Sequence, residues 1–122
     1  MSAERELAAR AEEPFAYLTT TGRVTGAPHT IEIWFALRGM TVYLLSGGGE
    51  NSDWVSNLRA QAEVTVRIDE IAYRGRARVV ELEPEDVLAR NLVHAKYAPL
   101  HDGDLDHWRD HALPVAIDLD RP

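Results

Sequence analysis

The chain has 122 residues, 45% of them apolar, with no cysteine and a formal net charge of −7. That length supports one hydrophobic core and is short for two domains that each close one. Disulfides and Cys-based zinc or iron–sulfur sites are excluded, and an acidic chain is a poor match for nucleic acid, which needs a concentrated basic surface.

The first residues, Met1-Ser2-Ala3-Glu4-Arg5-Glu6, are acidic where a secretory leader is basic and then apolar. No run of about 18 apolar residues offers a membrane-spanning helix, so the expectation is a cytoplasmic chain with no integral membrane segment. Ala3 to Glu13 has helix-forming composition and stops at Pro14. Phe15 to Thr20 reads as a strand, and Thr21 to Pro28, with two glycines and a proline, as a turn or loop. In Thr30 to Leu37, Ile31, Ile33, Phe35 and Leu37 alternate with Glu32, Trp34, Ala36 and Arg38, which predicts a strand. Gly39-Met40 turns the chain into a second strand, Thr41 to Ser46, as a hairpin. Gly47-Gly48-Gly49 breaks it, and a short helix over about 52–60 follows, with Asn51 or Ser52 as its cap. Val64, Val66 and Ile68 mark another strand. Ala72 to Leu82 is the next, with a bulge or close approach at Gly75. Pro84, Glu85 and Asp86 open the longest helix, to about Tyr97, with Leu88, Leu92 and Ala95 on its buried face. Residues 101–106 are polar and loop-like. Leu113 to Leu119 is a closing strand, and Pro114 places its start at a sheet edge. Short turns between strands favour antiparallel pairing.

Two segments could hold a ligand. Ser46 to Asn57 takes a strand end through three glycines into a helix start, where free backbone amides and the helix dipole favour an anion such as phosphate. Trp54 and Asn57, three residues apart, share a helix face. The plain alternative is a hairpin exit with Trp54 in the core. Thr21 to His29 offers Arg23, two hydroxyls and His29, and a solvated loop is its plain alternative. Arg74, Arg76 and Arg78 lie two apart on one strand face. They form either a solvated face or a cationic stripe for the carboxylates of a ligand or partner. Asp102, Asp104 and Asp106 alternate like a calcium loop, but the glycine is misplaced and Leu113 stands where a glutamate is needed. His107 and His111 have the spacing of zinc ligands but lack a general-base glutamate between them. A polar surface loop without metal is the expectation.

Thr19-Thr20-Thr21-Gly22-Arg23, Gly26-x-Pro28, an apolar strand, Leu44-Leu45-Ser46-Gly47-Gly48, Trp54-x-x-Asn57-Leu58 and Val64-x-Val66 follow one another in this order. The set resembles the deazaflavin-dependent nitroreductase family, which is similar in fold to the pyridoxamine-phosphate-oxidase-type flavin-binding split barrels. The likeness runs from about Tyr17 to Ile68 and continues more faintly at Lys96-Tyr97 and Trp108 to Ile117. It implies a mainly β (α+β) single domain over 1–122. This would be a split β-barrel with an N-terminal helix, a short helix after the glycine run and a longer helix before the last strand.

The resemblance also implies coenzyme F420, a 5-deazaflavin with a phosphate and a glutamate tail. Arg23, Val24, Thr25, His29, Thr30, Ile31, Leu45, Ser46, Gly47, Gly48, Trp54 and Asn57 would border it, and Tyr97 would face the acceptor as a catalytic positioning group or proton donor. Val24, His29 and Gly47 depart from the family pattern, which often has a basic residue at each of these places. The implied activity is hydride transfer from F420H2 to a quinone, nitro compound or similar small-molecule acceptor. Two alternatives stay open: an FMN-binding split-barrel oxidoreductase, and a non-catalytic F420 carrier. The resemblance also leaves room for a homodimer.

Overall fold

The structure is a computed structural model and describes residues 2–121. Seven strands form one sheet: β1 (Ala16–Thr21), β2 (Pro28–Ile33), β3 (Ala36–Arg38), β4 (Thr41–Ser46), β5 (Glu63–Ile68), β6 (Ile71–Val79) and β7 (Leu113–Leu119). Their order across the sheet is β2-β1-β5-β6-β7-β4-β3, with every neighbouring pair antiparallel. The four helices are α1 (Ala3–Ala8), α2 (Asp53–Ala60), α3 (Glu85–Tyr97) and α4 (Asp106–His111).

Strands β2 and β3 are consecutive in the chain yet lie at opposite edges of the sheet, separated only by Trp34 and Phe35. Consecutive Cα atoms are about 3.8 Å apart, so the two edges must lie side by side. The sheet therefore curls into a split barrel. Alternation along 30–37 predicted one continuous strand; the break at Trp34-Phe35 corrects that. Phe35 turns inward and is fully buried in the barrel core, while Trp34 packs into the layer outside it. The backbone N–H and C=O of Phe35 are satisfied by the Tyr97 hydroxyl and the Lys96 ammonium instead of a strand partner. The hairpin with β4 is correspondingly short, covering only β3.

The core has two layers. Inside the curl, Leu18, Val42, Leu44, Val64, Val66, Val115 and Ile117 meet, and Leu7 of α1 plugs one end. Outside it, α3 covers the β3–β4–β7 part of the sheet, packing Ala89, Val93 and Tyr97 on Ala36, Tyr43, Leu45 and Ala116. The buried stripe of α3 is thus displaced by one to two residues from the expected Leu88, Leu92 and Ala95. Both stripes are apolar, and the one with small residues lets the helix approach while Tyr97 anchors its end. Leu88 and Leu92 are left half-buried and Ala95 exposed.

Four further differences are local. Helix α1 ends at Ala8 and the chain winds on in tight turns to Glu13 instead of continuing as helix. Strand β6 stops at Val79, short of Leu82. Residues 106–111 form α4 where the sequence suggested only loop. Strand β7 lies inside the sheet between β6 and β4, so Pro114 is the second residue of an interior strand, one residue before the ladder with β6 begins. Gly75 is the close approach that was expected: a Cβ there would sit 2.8 Å from the Asp118 carbonyl oxygen. Among the described residues no helix is long and apolar enough to cross a membrane, and no cluster of three or more potential metal ligands occurs.

Candidate functional site

At the end of β1 the chain passes through a tight turn, closed by Gly22 N–H to Ala27 O at 2.8 Å and Gly26 N–H to Gly22 O at 2.9 Å. Gly26 takes φ +77°, a region that favours glycine. A Cβ on Gly22 would lie 2.7 Å from His29 Nε2, so glycine lets the imidazole fold back over the turn. The turn faces the start of α2, and the two enclose a cleft of about 450 Å³. Arg23, Val24, Thr25, His29, Thr30 and Ile31 line one side and Asp53, Trp54 and Asn57 the other.

Asn57 ties the two sides together. It is 3% exposed. Its Oδ1 accepts from the Arg23 backbone N–H at 3.2 Å and from Arg23 Nη1 at 2.8 Å, and its Nδ2 donates to Thr20 Oγ1 at 3.2 Å. Arg23 Nη2 meets Asp53 Oδ1 at 3.2 Å. Trp54 is half-buried: it packs against the barrel core and also lines the cleft. Val24 is 89% exposed at the rim. The Thr30 hydroxyl is 2.7 Å from that of Thr19, while Thr25 Oγ1 accepts from Ala27 N–H and keeps its own proton to donate.

The structure does not bring every expected residue here. Leu45 is buried beneath α3. Ser46 is 2% exposed, with its hydroxyl 3.1 Å from Gly49 O and 2.8 Å from Ser52 Oγ, so it stabilises the glycine turn. Ser52 occupies the N-cap position of α2 but makes no side-chain capping bond. Gly47 and Gly48 lie on the surface beside Trp108 and Ser52, outside the cleft lining.

Tyr97 departs most from expectation. Its hydroxyl was expected to reach out of the core, but the residue is 4% exposed. The hydroxyl donates to Pro14 O at 2.7 Å and accepts from Phe35 N–H at 3.0 Å, while the ring stacks on Trp34 at 4.3 Å. Burial pushes the phenol up to about 12. Next to it, Lys96 Nζ donates to Glu13 O at 2.7 Å and Phe35 O at 3.0 Å, and burial lowers it to about 8. Both side chains hold the Trp34-Phe35 seam.

Thr20 was missed as a site residue. Its place after Leu18 on an alternating strand makes it inward-facing, and an inward hydroxyl needs a partner. That reasoning could have pointed to Asn57. As a set, the guanidinium of Arg23, the imidazole of His29 and the Thr25 hydroxyl suit an anion, and Ile31 and Trp54 add apolar surface to the lining. These residues fit a planar, anionic ligand.

The model of the F420H(2)-dependent quinone reductase family matches residues 2–120. Among solved structures, an F420-H2 dependent reductase aligns with TM-score 0.69 at 21% identity, covering 88% of this chain and 94% of that one. A candidate pyridoxamine 5′-phosphate oxidase from Listeria innocua gives 0.71 at 19% identity, covering 97% and 94%. A FAD-binding protein from Mesorhizobium loti gives 0.74 at 16% identity, covering 99% and 90%. At such identities the structures speak for the shared split-barrel fold.

Proposed function

This chain belongs to the F420H(2)-dependent quinone reductase family, and from that premise we propose that it binds coenzyme F420 in the cleft between the β1–β2 turn and α2. There it would deliver hydride from F420H2 to a small quinone or a comparable electron-poor acceptor such as a nitro compound. The observation that carries this reading is the cleft itself, lined by Arg23, Thr25 and His29 together with the apolar surfaces of Ile31 and Trp54. When bound, the cofactor supplies hydride chemistry that no side chain provides.

The protein's part is to bind and orient. Arg23 offers a guanidinium suited to phosphate or carboxylate oxygens, and His29 and Thr25 add donors beside it. Trp54 and Ile31 cover apolar ring surface and exclude water from it. Thr30 and Val24 shape the rim, and the exposed Gly47 and Gly48 lie outside the cleft lining, beside Trp108 and Ser52. Tyr97 is assigned a structural role on the strength of its buried, fully engaged hydroxyl. We read residues 1–122 as one split-barrel domain acting in the cytoplasm.

The test is a fluorescence titration of F420 and FMN against the protein, followed by F420H2 oxidation in the presence of a quinone. Tighter binding of F420 and quinone-dependent turnover are the expected results. Tight FMN binding with no F420 signal overturns the cofactor assignment, and F420 binding without turnover makes the protein a carrier.

A further inference from the structure

Two residues of α2 share the grip on Arg23, and they differ in charge and in burial. Asn57 is 3% exposed, and its oxygen is given twice to Arg23, to the backbone N–H and to Nη1. Its amide nitrogen is anchored on Thr20, itself buried. Breaking that arrangement would leave polar groups unpaired out of water, which is costly. The Asp53 side chain is 88% exposed and meets Arg23 through Nη2 alone at 3.2 Å, apart from a long contact of 3.5 Å between Nη1 and its backbone carbonyl. Exposed ion pairs of this kind are weak and screened by salt. The fork of Arg23 therefore has one arm fixed by a neutral, buried amide and one arm held by an exchangeable carboxylate.

Resting on the assignment of this cleft to an anionic cofactor, the geometry points to a division of labour between these neighbours. Asn57 is a positioning residue that holds Arg23 over the cleft, and Asp53 is a resident counter-ion that a phosphate or carboxylate of the ligand displaces from Nη2. Asp53 then works against anion binding through Arg23. It also sets a threshold for the ligand: a neutral flavin analogue gains nothing from displacing it, whereas an anionic one exchanges one ion pair for another.

The experiment is a titration of oxidised F420, and of the deazaflavin chromophore without its phosphate tail, against wild-type protein, Asp53→Asn, Asn57→Ala, Arg23→Gln and the Asp53→Asn/Arg23→Gln double variant. Asp53→Asn should tighten F420 about two- to fivefold at low salt, as expected for loss of an exposed pair. That gain should shrink as salt is added. Affinity for the tail-less chromophore should not change. In the Arg23→Gln background the gain should vanish, since it acts through the guanidinium. Asn57→Ala should weaken F420 about tenfold, the scale of a hydrogen bond to a charged group, and the Arg23 guanidinium NMR signals should broaden in protein that thermal melting shows to be folded. If Asn57→Ala does not fold, the Asp53–Arg23 cycle decides alone. Unchanged or weaker F420 binding in Asp53→Asn, or an equal gain with and without Arg23, overturns the inference. An Arg23→Gln variant that binds F420 as tightly as wild type overturns the cleft assignment instead.

Discussion

Replacing Tyr97 with Phe removes one oxygen and tests where that oxygen acts. The ring stack on Trp34 needs no hydroxyl and should persist. Its bonds are lost: Tyr97 O–H to Pro14 O at 2.7 Å, with a longer contact to Phe35 O at 3.2 Å, which keeps Lys96 as a partner, and Phe35 N–H to Tyr97 Oη at 3.0 Å. Pro14 O can turn to water, at a loss of about 1 kcal/mol. Phe35 is fully buried, and its N–H loses its partner at a cost of about 1–2 kcal/mol. The sum is about 2–3 kcal/mol. For a chain of this length an unfolding entropy near 2.1 cal/mol/K per residue converts that into a Tm drop of about 8–12 °C. Differential scanning calorimetry reads the drop, and F420H2 oxidation at a temperature where the variant is folded reads activity. The expected pair of results is lower stability with turnover retained in the folded fraction. A variant with wild-type Tm and much reduced kcat would refute the structural assignment and return the hydroxyl to the acceptor side.

Gly75→Ala should destabilise by about 1–3 kcal/mol, because its Cβ would press on the Asp118 carbonyl oxygen at 2.8 Å across the β6–β7 ladder; urea unfolding measures it. Glu85 is held down at about 2 chiefly by its hydrogen bonds from Arg78, against an ordinary value of 4.5. The stability it contributes is therefore whole above pH 4.5 and lost as pH falls towards 2. Arg78→Gln should flatten that part of the acid-unfolding curve. Lys96 is likewise lowered on folding, from 10.5 to about 8 by burial, so its contribution also rises with pH but in a higher window. Below pH 8 its folded-state charge is a liability, and between 8 and 10.5 the unfolded chain holds more protons, so stability rises with pH. Lys96→Met should remove that rise in Tm measured across pH 8–10; an identical slope in the variant would contradict it.

Strands β4, β5 and β7 were legible and lie within a residue of where the pattern put them: β5 alternates in sequence and in burial, while β4 and β7 are short, nearly continuous apolar runs that end up buried along most of their length. The break at Trp34-Phe35 was not, because apolar residues keep alternating straight through it and only a tertiary partner, Tyr97, turns the backbone aside. The buried face of α3 was misread for a related reason: leucines outweigh alanine and valine in any hydrophobicity pattern, but close helix-to-sheet packing selects the smaller residues. In the cleft, the Arg23 turn lies against Trp54 and Asn57, residues that the resemblance had grouped. The way they are wired was not legible. Arg23 and Asn57 are 34 positions apart, Thr20 and Asn57 are 37 apart, and no local pattern encodes such a contact. Ser46 was read as a ligand contact from its place at a strand end, yet a buried hydroxyl next to a glycine turn is claimed first by that turn.

Strand β7 has a bearing on how the chain is made. It pairs with β6 on one side and β4 on the other. Until it is in place, the sheet exists as two unconnected ladders, β2-β1-β5-β6 and β4-β3. A chain emerging from the ribosome in N-to-C order therefore carries two open strand edges, on β6 and β4, from the time β6 is complete until β7 emerges, with Val42 and Leu44 of β4 still uncovered by Val115 and Ile117. Such edges template pairing with other chains. The vulnerable interval for aggregation ends only when residues near 119 have been released, and binding of a ligand to the Arg23 cleft, built entirely from earlier residues, cannot shorten it by itself.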